Sequence, residues 1–164
     1  MMIKNSKRKG IYMKIGIGAD QNGFALKEEI KKFIEEKFDH EVVDYGCASC
    51  DDVDYPEVSY DVAKAIDEEK LDRGILICGT GIGVAIAANK YPGIRAATAH
   101  DVYSAERAQL SNNAQIVTMG AQIVGPEVAK KVVEAYLSVE WAKGSERKVN
   151  KIIDIENEFV ETSK

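Results

Sequence analysis

Five times along this 164-residue chain a short β-type run gives way to a segment of helical period, and that alternation restricts the fold more than any other feature. Lys14-Ile15-Gly16-Ile17-Gly18-Ala19 is followed by Phe24, Leu26, Ile30, Phe33, Ile34 and Phe38 at helical spacing. Glu41 to Tyr45 is the second run, and Tyr55-Pro56 opens a helix through Val58, Val62, Ala65 and Ile66, proline suiting a first turn. Gly74-Ile75-Leu76-Ile77-Cys78 is apolar without interruption, the pattern of a strand covered on both faces. A small-residue helix from Val84 to Lys90, a strand from Ile94 to Ala99 and a helix from Val102 to Leu110 come next. The fifth strand, Gln115 to Gly120, leads into a helix opened by Gly125-Pro126 that carries Val128, Val132, Val133, Ala135 and Tyr136. Strands that alternate with helices form a parallel sheet with helices on its faces. The expectation is a three-layer αβα, Rossmann-like, doubly wound five-stranded parallel sheet, with residues 13–164 as one domain.

Both ends of the chain depart from this alternation. A last helix, around Glu146 to Val160, places Val149, Ile152, Ile153, Ile155 and Phe159 on one side. That stripe suits packing either against a partner subunit or against the chain's own sheet. Residues 1–12 carry Lys4, Lys7, Arg8 and Lys9 with no apolar stretch, so they are not a secretory signal. They are expected to be a disordered basic leader, with the domain starting at Met13.

Charge and cysteine usage exclude several function classes. With 22 Lys and Arg against 27 Asp and Glu the net charge is −5, which lacks the electrostatic footprint of a nucleic-acid binder. No apolar run is long enough to span a membrane. Three cysteines, an odd number, argue against a disulfide scaffold and for a reducing, cytoplasmic setting.

In a doubly wound sheet, ligands bind at the carboxyl ends of the strands near the point where strand order reverses. Those ends read Asp20-Gln21-Asn22-Gly23, Gly46-Cys47, Cys78-Gly79-Thr80-Gly81-Ile82-Gly83, His100-Asp101 and Gly120-Ala121-Gln122. The third is the most informative. A glycine-rich turn feeding a helix exposes backbone N–H groups to a negative ligand or a developing oxyanion. Its spacing is neither Gly-x-Gly-x-x-Gly nor a Walker A loop. Cys78 stands where a nucleophile or base would be held, although a free cysteine at a strand end is as often a small buried hydrophobe. Cys47-Ala48-Ser49-Cys50 is a lone CxxC without a second pair, a weak metal or redox signal. His100 falls on the rim, whereas His40 sits in a helix-to-strand turn and is expected to be solvated.

From Met13 to about Ile155 the chain resembles the family of type B ribose-5-phosphate isomerases and galactose-6-phosphate isomerases. The resemblance is carried by Gly18-Ala19-Asp20, Gly23-Phe24-Ala25-Leu26-Lys27, Asp54-Tyr55-Pro56 and the whole of Gly74 to Gly83. Ala87-Ala88-Asn89-Lys90, Gly93-Ile94-Arg95-Ala96 and His100-Asp101-Val102-Tyr103-Ser104-Ala105 continue it in order. It implies an aldose–ketose isomerase, homodimeric or tetrameric, that works on a sugar phosphate through a cis-enediolate with no metal or cofactor. Cys78 would be the base, Thr80 would shuttle protons between oxygens, and the amides of Gly79, Gly81, Ile82 and Gly83 would hold the enediolate. Asp20 and Tyr55 would grip sugar hydroxyls, and Arg147 in the last helix matches a phosphate ligand.

Departures from the pattern bear on the substrate. Gln21 stands where a His follows the Asp, Gln122 stands where an Arg binds phosphate, and Ser111-Asn112 replaces a His-Asn pair whose His assists ring opening from the neighbouring subunit. Glutamine cannot make the charge-assisted bidentate contact of arginine. His100 is the candidate to take over the missing imidazole. Ribose 5-phosphate and ribulose 5-phosphate, or a related sugar phosphate, are the expected substrates. An unphosphorylated or larger sugar, the Cys-bearing subunit of a heteromer with a paralogous chain, and a catalytically silent sugar binder are the alternatives.

Overall fold

The computed structural model describes residues 11–46 and 53–161. The basic leader, except its last two residues, and the Cys47–Cys50 motif therefore lie outside the described residues. Eleven elements follow in the order β1 (Lys14–Ala19), α1 (Phe24–Lys37), β2 (Glu41–Asp44), α2 (Tyr55–Asp67), β3 (Arg73–Cys78), α3 (Ile82–Ala88), β4 (Ala96–Thr98), α4 (Val102–Asn112), β5 (Ile116–Gly120), α5 (Pro126–Leu137) and α6 (Glu146–Glu161). The five strands form one parallel sheet of order β2-β1-β3-β5-β4.

The layering follows from the handedness of parallel connections. A right-handed crossover that moves one way along the sheet lies on one face, and one that moves the other way lies on the opposite face. α1 and α4 carry the chain back toward the β2 edge, and with α5 they cover one face. α2 and α3 carry it the other way and cover the second face. Two apolar clusters result. Ile15, Ile17, Ile75, Ile77, Val117 and Met119 meet α1 and α5 on one side. Leu76, Cys78 and Ile116 meet Val58, Val62 and Val84 on the other. Alternate residues of β3 enter opposite clusters, and all six of its residues are buried, which explains the unbroken apolar run.

Two elements differ from their expected extents. β4 spans only Ala96–Thr98, rather than beginning at Ile94. The Asn89 side chain replaces the missing ladder: its Oδ1 accepts the Ala96 N–H and its Nδ2 donates to the Ala96 carbonyl, both at 2.8 Å. α3 begins at Ile82, directly on the glycine turn, and ends at Ala88. For α6, own-sheet packing accounts for little of the apolar stripe. Val149 is buried, but Ile152, Ile155 and Phe159 are 47%, 58% and 67% exposed. Its visible anchor is Glu156, which accepts the Gly93 N–H at 2.7 Å.

Candidate active site

β3 is the hinge of the strand order. The connection leaving β1 crosses one face while that leaving β3 crosses the other, and β5 again departs opposite to β3. The carboxyl end of β3 therefore borders both openings of the sheet, and Cys78 occupies that end, 5% exposed.

The turn after Cys78 is shaped by close backbone approach. Gly81 adopts φ +78°, the left-handed region, and a Cβ there would fall 2.7 Å from the Met119 carbonyl carbon. A Cβ on Gly120 would fall 2.6 Å from Thr80 Cα, so both the turn residue Gly81 and the strand end Gly120 must be glycine for the turn to lie across β5. The Gly81 N–H donates to Cys78 Sγ at 3.1 Å. The Gly81 carbonyl accepts the Thr118 hydroxyl at 2.8 Å and the Thr98 hydroxyl at 3.2 Å. These two threonines pin the turn from below, and sequence reasoning missed them. Their one signal was Thr118, a polar residue inside the apolar run of β5, which proves to be fully buried. Gly81 caps α3 with no side-chain hydrogen bond. Among the described residues the amides of Gly79 and Thr80 donate to no protein group. Backbone N–H groups left without a protein acceptor beside a sulfur are a place where negative charge can be held.

Other expected residues gather around this turn. Asp20 is buried at the end of β1, and its Oδ1 accepts the N–H groups of Asn22 and Gly23 at 3.0 and 3.1 Å. A Cβ on Gly23 would meet the Ile77 carbonyl oxygen, so this first turn is pressed against β3. Tyr55, the first residue of α2, lays its ring over Gly83, where a Cβ would fall 2.8 Å from the ring. Thr80 is exposed, its Oγ1 accepting the Ile82 N–H at 3.3 Å, and Ile82 is itself exposed. The Gln122 N–H donates to the Gly79 carbonyl, and its carboxamide lies over Gly79. His100 Nε2 accepts the Gly120 N–H at 2.9 Å. Next to it, Asp101 caps α4 by accepting the Ser104 N–H, and the hydrogen bonds from Ser104 hold its carboxyl below the usual range. Gln21 is exposed on the same rim.

Two expected residues are not brought to this rim by the chain itself. Asn112 ends α4, which runs back toward the amino edge of the sheet before β5 begins. Arg147 lies exposed on α6, whose anchor at Gly93 is also at the amino edge. His40 departs from expectation as well. Both its ring nitrogens are enclosed, with no side-chain hydrogen-bond partner among the described residues, and its ring stacks on Phe38 at 5.1 Å. It is shut in rather than solvated, because the Phe38-Asp39-His40 turn folds under the α1–β2 corner. Burial, more than the nearby charges, pushes its pKa down.

Among the described residues no group of His, Cys, Asp and Glu side chains is arranged to hold a metal ion, and no helix is long and apolar enough to cross a membrane.

A family model described as ribose/galactose isomerase matches residues 15–153. The D-erythrulose-4-phosphate isomerase of Pectobacterium atrosepticum is 47% identical over 142 residues, 85% of this chain and 93% of that protein. The ribose-5-P isomerase B of Listeria innocua is 46% identical over 145 residues, 88% of this chain and 97% of that protein. Among solved structures, ribose-5-phosphate isomerase B of Clostridium thermocellum superposes with a TM-score of 0.87 at 42% identity, covering 90% of this chain and 99% of that one.

Proposed function

The chain belongs to the ribose/galactose isomerase family and is an enzyme of the sugar-phosphate isomerase type, and from that premise we propose that Cys78 is the base of an aldose–ketose isomerisation on this rim. The observation that carries the reading is the contact between the Gly81 N–H and Cys78 Sγ at the head of the glycine turn. Cys78 as thiolate takes the proton from C2 of the aldose, and the electron pair forms the C1–C2 double bond of an enediolate. The amides of Gly79 to Gly83 hold the charge that develops on oxygen, a role worth several kcal/mol when the donors are already in place. Thr80 passes the hydroxyl proton between O2 and O1, and Cys78 returns its proton to C1 to leave the ketose. Asp20 and Tyr55 flank the turn and orient the sugar hydroxyls. Gln21 and Gln122 line the same rim as neutral contacts.

Substrates of similar relatives have four or five carbons: ribose 5-phosphate and erythrulose 4-phosphate are named in two that are about equally identical to this chain. The proposed substrate is a phosphorylated sugar in that range, with ribose 5-phosphate and ribulose 5-phosphate as the reference pair. Arg147 and Asn112 lie away from the rim, so their share in binding requires a second copy. The exposed stripe of α6 supports a homodimer.

The test is hydrogen exchange at C2. In heavy water the purified chain should incorporate deuterium into its substrate. Cys78→Ser should lower both exchange and turnover by roughly 100- to 10,000-fold with an unchanged unfolding temperature, the range expected for losing a positioned base. Undiminished exchange would remove Cys78 from the mechanism. A wild-type chain that is inert alone and becomes active with a paralogous chain would identify it as one subunit of a heteromer.

A further inference from the structure

Inside β5 one side chain does not match the core around it. Thr118 is fully buried between Val117 and Met119, and its neighbours across the sheet are Leu76 on β3 and Thr98 on β4. A buried hydroxyl costs stability unless it is hydrogen-bonded, and valine, of the same shape, suits a strand equally well. What the hydroxyl bonds is therefore its reason for being there. Thr118 Oγ1 donates to the Gly81 carbonyl at 2.8 Å and lies 2.9 Å from Thr98 Oγ1, which is itself 3.2 Å from the same carbonyl. Two protons serve these three contacts. Thr118 gives its own to the carbonyl, and Thr98 divides its proton between that carbonyl and Thr118 Oγ1.

The carbonyl belongs to the Gly81–Ile82 peptide unit, and in a trans peptide the C=O and N–H point in opposite directions. Drawn down onto β5, it aims the Ile82 N–H outward at the rim, where that group donates to Thr80 Oγ1 at 3.3 Å. Hydroxyls that donate to the carbonyl also polarise the unit and make its N–H a stronger donor. Thr80 is the residue that gains from such a donor. As it gives its proton to one substrate oxygen before taking another back, negative charge builds on Oγ1, and the Ile82 N–H faces that charge.

Resting on the isomerase reading above, we infer that Thr118, supported by Thr98, is a positioning residue for the reaction. From beneath the turn it aims and polarises the Gly81–Ile82 peptide unit toward Thr80, the carrier of the hydroxyl proton. Thr118 is too deeply buried to touch the sugar. Losing its hydroxyl slows proton transfer between the substrate oxygens and leaves the contacts at Asp20 and Tyr55 in place, so the effect falls on kcat rather than KM.

The test is steady-state kinetics on the full chain, with D-ribose 5-phosphate and D-erythrulose 4-phosphate as probes. Thr118→Val keeps the branched shape and removes the hydroxyl. It should lower kcat about 2- to 10-fold, the worth of one neutral hydrogen bond, with KM unchanged. Thr118→Ser should restore most of kcat even though the cavity it leaves lowers the unfolding temperature. Added to Thr80→Val, Thr118→Val should lower kcat no further, because the hydroxyl acts through Thr80. Thr98→Val, on the edge strand, should give a smaller fall of the same kind. An unchanged kcat in whichever of the single Val variants at 98 and 118 is folded would overturn the inference. Equal losses in Thr118→Ser and Thr118→Val would also overturn it, since Thr118 would then act by packing alone, as would losses that multiply in the double variant. If Cys78→Ser keeps full hydrogen exchange at C2, the isomerase reading falls and takes the inference with it. If Cys78→Ser loses exchange while Thr118→Val matches the wild type, only the inference falls.

Discussion

Glycine residues in the turn after β3 do different jobs, and single substitutions separate them. Gly81 is held at φ +78° with Met119 backbone against the place a side chain would occupy. Gly81→Ala should cost at least about 2 kcal/mol, from the left-handed backbone together with the clash, and show as a lower unfolding temperature along with lost activity. Gly83 has ordinary helical backbone, and only the Tyr55 ring fills the space beside it. Because a ring can swing away where a backbone cannot, Gly83→Ala should leave the unfolding temperature nearly unchanged and raise KM by displacing Tyr55. Equal destabilisation by the two variants would contradict this division. The glycines were legible in the sequence as a turn. Which of them the backbone requires, and which merely makes room, depends on neighbours from β5 and α2 that are distant in sequence.

Elements are tied at their ends by charge as well as by the core. Lys27 is fully buried in α1, yet its Nζ reaches Asp44 at 2.6 Å and Glu28 at 2.7 Å. Asp44, at the end of β2, also accepts the Gly46 N–H and meets Lys31. Burial alone pushes Asp44 upward, but the Lys27 ammonium, the Gly46 amide and Lys31 outweigh it and hold the carboxyl below its usual range. A carboxyl lowered in the folded state stabilises the protein above the unfolded value near 3.9, and that stability is lost as pH falls through the lower folded value. Asp44→Asn should cost about 2–3 kcal/mol near neutral pH, less than a wholly buried pair because Asp44 is partly exposed and Glu28 remains. The variant should also flatten the fall of unfolding temperature below about pH 4. An unaltered acid limb would mean that other carboxyls govern acid unfolding. Lys27 was visible in the sequence within a family motif, but nothing in helical period marks a lysine that points inward.

At the scale of the whole molecule, α6 is an amphipathic helix on whose apolar side Val149 is buried and Ile153 partly buried, while Ile152, Ile155 and Phe159 remain largely exposed. A second copy covering Ile152, Ile155 and Phe159 is the arrangement under which Arg147 and Asn112 could share a rim with Cys78. The expected outcome of combining Ile155→Glu with Phe159→Glu is a halved mass in light scattering and a raised KM, with each protomer still folded. An unchanged mass would show that α6 does not hold the copies together.

Sequence by itself determined the parallel sheet, the five strand ends that carry Asp20, Cys78, His100 and Gly120, and the glycine turn, because local period and turn chemistry act over a few residues. It could not order the strands. That β5 lies between β3 and β4 was decided by tertiary packing, and only this order brings Thr118 under Gly81 and the Gly120 N–H to His100. His40 shows the same limit: a turn histidine reads as exposed until the corner closes over it. Tertiary structure also separated Asn112 and Arg147 from the rim, since helix direction places a residue at one edge of the sheet or the other. Proximity across a sheet is a sum of long-range burial and register, and no window of sequence contains that sum.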